Sequence, residues 1–159
     1  MTEPFFDLFH AARRIGEAVA IEDALFELYG TAARFITRPQ LSVALQVASR
    51  SHGELSEGFA QRLPVSASIP TDQFRGISSP LGRAAMAAIA LAERETEDPL
   101  VILSVIADEV LPCVQRVYNE AFALTSPHAD GPFRVMLDRA LEAVDGDFAL
   151  VTEALNSLR

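Results

Sequence analysis

Apolar residues recur three and four apart along most of this chain, and the strict alternation that marks a half-buried strand is absent. The pattern predicts a first helix from about Phe5 to Thr37, with Leu8, Ile15, Ile21, Leu25, Leu28 and Ile36 on its apolar face. Thr2 and Pro4 suit its start, and Pro39 its end, because the residue before a proline is pushed out of the α region. A second helix is expected from about Pro39 to Arg62, carrying Leu41, Leu45, Ala48, His52, Leu55 and Phe59 on one side. The join between the two is short, so they should pack antiparallel.

The stretch LPVSASIPTDQFRGISSP, residues 63–80, is too rich in proline, glycine and small polar residues to be helical. It is also long for a helix–helix turn, and so reads as a connection running along the molecule. Pro80 opens a shorter, alanine-rich helix to about residue 97. Asp98 and Pro99 then form a fresh cap and first turn. A third long helix follows over about 99–126, with Leu103, Ile106, Val110, Cys113, Val114 and Val117 on one face, and Pro112 predicts a kink within it. TSPHADGP is a turn. A fourth helix is expected over about 132–158, its stripe running through Phe133, Leu137, Ala140, Leu141, Val144, Phe148, Val151 and Leu155. The expected fold is all-α: one domain over 1–159, built from two long helical hairpins and a long connection that carries a short extra helix.

Composition narrows the chemistry. The 159 residues are 50% apolar and 22% charged, which describes a globular chain. The net charge of −9 and the scattered arginines disfavour a nucleic-acid backbone as partner. All 13 basic residues are Arg, so lysine Schiff-base chemistry and a phosphate-loop lysine are excluded. The single cysteine, Cys113, excludes an intrachain disulfide framework and a thiolate cluster. The start of the chain lacks the basic and apolar regions of a secretory signal. The longest apolar run, LVILSVIA at 100–107, is too short to span a membrane. A cytoplasmic location is the expectation.

Three segments, AIEDALFELYG (20–30), ASRSHGELSEGFAQRLP (48–64) and LPCVQRVYNEAFALTSPHADGP (111–132), carry a resemblance to the ferritin-like superfamily, in particular to its small bacterial members. The resemblance implies a ferritin-like four-helix bundle, two antiparallel hairpins joined by a crossover. It also implies a di-iron or di-manganese site, with one Glu on each of two helices and Glu-x-x-His on each of the other two.

Each helix can be tested for those ligands by turning about 100° per residue. With Leu25 as the centre of the core face, Glu22 lies about 60° away and points inward, while Asp23 and Glu27 lie roughly 160° away and face solvent. His52 falls about 30° from the centre of its stripe, level with Glu22 across the hairpin. Three residues before it stands Ser49, so the motif here is Ser-x-x-His, and a hydroxyl is a poor iron ligand. On the third long helix Asp108 faces out and Glu109 sits on the flank. On the fourth, Glu142-x-x-Asp145 keeps the spacing without the histidine, Glu142 faces water, and Asp145 and Asp147 are flanking. The candidate metal residues are therefore Glu22, His52, Glu109 and Asp145, with iron or manganese as the cofactor they would hold.

Plainer roles compete with each assignment. Glu22 and His52 can be a buried pair, since a buried carboxylate needs a partner. Tyr29 and Tyr118 either line a cavity beside them or simply pack. Cys113 reads as a small buried residue, and His10 and His128 as surface residues. Two functional readings follow. The first is a ferritin-like protein with a degenerate metal site that acts as a binding or protein-interaction module. It would form a homodimer or take a protein partner, with a groove between the hairpins suited to a small apolar ligand or a partner helix. The second is a metal-dependent oxidase or hydroxylase with a carboxylate-rich core.

Overall fold

A computed structural model describes residues 8–95 and 97–159; the expected helix start at Thr2 to Phe5 lies outside them. Helix α1 (Leu8–Phe35) is buried over most of its circumference between Ile15 and Val19. It is enclosed there because α2 (Pro39–Ala60) packs along one side while α3 (Pro80–Arg94) and the connection cover another. Arg38 is extended (φ −80°, ψ 113°) and Pro39 opens α2, as expected for a residue before proline.

The connection contains one 3₁₀ turn, Thr71–Phe74, seated on the backbone of α1. Its approach requires a glycine, because a Cβ at Gly16 would stand 1.7 Å from the Phe74 carbonyl oxygen. Ser79 caps α3 by accepting from Gly82 N–H at 2.9 Å, with Pro80 as the first helical residue.

Residues 99–124 form one continuous rod: α4 (Pro99–Val105), a π-helical turn (Ile106–Val110) and α5 (Leu111–Leu124). Asp98 caps it, accepting from Leu100 N–H at 2.9 Å. The irregularity expected at Pro112 takes the form of the π turn. Pro112 has no N–H to donate and its ring crowds the carbonyl four residues back. The chain widens just before it, and Leu111 N–H bonds to Ile106 O, five residues back. The turn into α6 (Gly131–Leu158) is closed by Arg134, whose guanidinium donates to Phe122 O and Thr125 O at 3.2 and 3.0 Å and lies 3.8 Å above the Phe122 ring.

The helices pack in a closed circuit. Helix α1 meets α2 and α3, α2 meets α6, α6 meets α5, and α5 meets α3. Among the described residues the structure is all-helical, with no strand. One apolar core runs through it, including Leu25, Leu28, Leu45, Phe59, Ile102 and Leu137. Also among the described residues, no helix is long and apolar enough to cross a membrane.

Candidate functional site

Five polar side chains meet inside this apolar core. Glu22 of α1 accepts through Oε2 from His52 Nδ1 at 2.6 Å. The other ring nitrogen, Nε2, stands 2.7 Å from Asp147 Oδ2 on α6. Tyr118 of α5 donates to the remaining Glu22 oxygen, Oε1. Tyr29 of α1 stacks on the imidazole, ring centroids 5.3 Å apart and planes 16° from parallel. Glu22 and His52 are sealed from solvent, whereas the Asp147 side chain is 8% exposed, so the chain of contacts runs from near the surface inward to Tyr118.

The helical geometry explains the convergence. Glu22 lies three residues from Leu25 and seven from Tyr29, on the face of α1 that the other helices cover. Asp147 belongs to the series Ala140, Val144, Asp147, Val151 and Ala154, all buried and spaced four, three, four and three. The sequence reading puts Asp147 on the flank because it blends this stripe with Leu141, Phe148 and Leu155, which are only partly buried.

Electrostatics fix the state of the histidine. Burial alone would lower the His52 pKa, but the hydrogen bonds and charges of Asp147 and Glu22 outweigh it and raise the value from 6.5 to about 10. His52 is thus an imidazolium at neutral pH, donating from both nitrogens. Burial pushes Tyr118 well above the usual tyrosine range, with the charge and hydrogen bond of Glu22 adding to it. Tyr29 rises for the same leading reason, followed by Asp147 and the charge of Glu22. The Tyr29 hydroxyl is buried and closes no well-formed hydrogen bond.

The structure brings two of the four candidate metal residues together, Glu22 and His52. Glu109, on the π turn, is exposed, and so is Asp145, which accepts from Gln115 Nε2 at 3.2 Å. Neither reaches the pair, and among the described residues no group of three or more His, Cys, Asp or Glu side chains is disposed to hold a metal ion. Ser49, three residues before His52, gives its hydroxyl to Phe26 O at 2.7 Å and ties α2 to α1. Both His52 nitrogens are engaged by carboxylates, one of Glu22 and one of Asp147. The donor set as placed therefore does not fit a two-metal centre.

The other acids divide between surface and clamp. Asp23, Glu27, Asp108 and Glu142 are exposed, as expected, although Asp23 also accepts from Ser56 Oγ on α2. His10 and His128 are exposed, and Cys113 is only partly buried, with Arg116 Nη2 3.5 Å from its sulfur. Glu17 carries no motif that marks it in the sequence. It is fully buried and accepts from Ser78 N–H at 3.0 Å, Ser79 N–H at 2.7 Å and Ser79 Oγ at 3.0 Å. Arg14 pairs with it at 3.2 Å. This carboxylate fastens the connection and the N-terminus of α3 to α1. Its serine partners lie 61 and 62 residues away along the chain, beyond the reach of local periodicity. No protein-family model, curated protein or solved structure matches the chain.

Proposed function

We propose that this is a ferritin-like helical-bundle protein in which a hydrogen-bonded ionic core replaces the metal site, and that it acts as a binding or protein-interaction module. On this reading α1 with α2 and the 99–124 rod with α6 are the two hairpins, and the connection carrying α3 is the crossover. Support comes from α1, α2, α5 and α6, each of which sends a polar side chain into one cluster: Glu22, His52, Tyr118 and Asp147. Ser49-x-x-His52 keeps the spacing of the ferritin-like Glu-x-x-His motif with a hydroxyl in place of the carboxylate.

The observation that carries the proposal is the engagement of both His52 nitrogens by carboxylates. A core so satisfied works as a structural element, and binding then belongs to the surface, where a groove of about 290 Å³ opens between α2 and α6. The test is elemental analysis of protein produced with iron and manganese supplied, beside Glu22→Ala and His52→Ala variants. The proposal expects no stoichiometric metal in any of them. Two equivalents in the wild type, lost in both variants, would replace it with the oxidase or hydroxylase reading built on Glu22, His52, Glu109 and Asp145.

A further inference from the structure

The outward face of α2 carries a pattern that complements itself. Val43, Val47, Arg50, Glu54 and Gly58 fall within about 60° of Val47 around the helix. Val43 and Val47 are 57% and 60% exposed, large values for valines set side by side on a helix. C-terminal to them comes Arg50, ion-paired to Glu54 at 2.8 Å in full solvent. Beyond that pair the surface becomes concave: Leu55, Gly58 and Met136 floor the α2–α6 groove, and Arg139 borders it. One helix thus bears two apolar knobs near its N-terminal half and a hollow near its C-terminal half, with opposite charges between them.

From this arrangement we infer that a second copy of this chain docks on the α2 face, with its α2 antiparallel and a two-fold axis near Arg50 and Ser51. In that register position 43 faces position 58 of the partner, and 47 faces 54. The valines of each copy enter the partner's groove, and Arg50 of each copy comes within reach of Glu54 of the other. An interface related by a two-fold must be self-complementary in this way, with each feature meeting its counterpart. The dimensions agree with a modest interface. Helix α2, 22 residues and about 33 Å long, gives the face the length that a small specific interface needs. Phe26, 42% exposed and packed over Gly53, extends the apolar rim on the α1 side. The inference rests on the interaction-module reading and names its partner. Its test leaves Glu22, His52 and Asp147 untouched, so metal analysis and association can fail independently.

The experiment is sedimentation equilibrium on the full chain from about 1 µM to about 0.5 mM, at physiological ionic strength so that the −9 charge on each copy is screened. A reversible dimer is expected. Val47→Glu should weaken it at least tenfold, as should Arg50→Glu or Glu54→Arg alone. These side chains are exposed, and unchanged helical circular dichroism confirms that each variant is folded. Mixing the Arg50→Glu and Glu54→Arg proteins should recover association as a heterodimer, which an ion pair confined to one chain would not produce. A monomer across the whole range would overturn the inference. So would a dimer indifferent to Val47→Glu and to both charge reversals.

Discussion

His52 Nδ1 stands 2.6 Å from Glu22 Oε2 across the α1–α2 interface, both side chains at most 1% exposed. A charge-assisted hydrogen bond so deeply enclosed carries high stakes. Intact, such a pair is often no better for stability than apolar residues of the same volume, and broken on one side it leaves an uncompensated charge in a medium that cannot solvate it. His52→Ala should therefore cost about 3–5 kcal/mol in chemical denaturation. Replacing the whole cluster with apolar residues of similar size, Glu22→Met, His52→Leu, Tyr118→Phe and Asp147→Leu together, should cost far less than His52→Ala alone. Equal losses would mean that shape and not charge governs the site.

Stability should depend on pH with a definite sign. The folded-state pKa of His52, about 10, lies above the ordinary value of 6.5. The folded protein therefore holds this proton more tightly than the unfolded chain. The stabilisation is complete below about 6.5 and is lost progressively as pH rises toward about 10. Denaturation midpoints measured across that window should fall in the wild type and stay flatter in the all-apolar variant. A wild-type midpoint that rises with pH would show that the histidine is not held as an imidazolium.

The two tyrosines are the only ones in the chain, and there is no tryptophan, so their ionisation can be followed by ultraviolet absorbance without interference. Both are held above the usual range, chiefly by burial. The alkaline titration should show neither ionising until the fold opens, and then both together. A separate phase below the unfolding transition would place one of them in contact with solvent.

The Glu17 clamp predicts a local effect. Glu17→Ala removes three acceptor contacts to Ser78 and Ser79, and Gly16→Ala forces a methyl group against the Phe74 carbonyl. Each should free the connection while α2 and α6 remain packed. Limited proteolysis should cut within residues 63–79 of the variants well before it cuts the wild type. Cleavage that begins elsewhere would show that the clamp serves the whole fold and not the connection.

The helices were legible because their apolar residues sit at helical spacing and their starts carry proline, with Asp98 as a cap before Pro99. Glu22 and His52 could be paired from the sequence because both point inward and a short turn sets their relative height. Asp147 had a signal, its place in the buried series of α6, but partly buried neighbours broadened the stripe and hid it. Tyr118 and Tyr29 stayed open between lining a cavity beside the acids and packing, because nothing local reveals the partner of a hydroxyl on another helix. The π turn was legible only as trouble at Pro112, since a helix can answer a proline by kinking or by widening. Glu109 and Asp145 show the converse: both are exposed, and a carboxylate near a helix flank reads as inward until the rotation of the helix is known.

The central claim is that His52 is an imidazolium locked between Glu22 and Asp147 and not a metal-ready imidazole. It is tested most directly by the ¹⁵N resonances of its ring, followed from neutral pH upward and assigned with the His52→Ala variant. The account predicts two protonated ring nitrogens at neutral pH, loss of one proton only near pH 10, and no change when manganese or ferrous iron is added. A neutral ring with one unprotonated nitrogen at neutral pH, or resonances displaced by the metal, would contradict it.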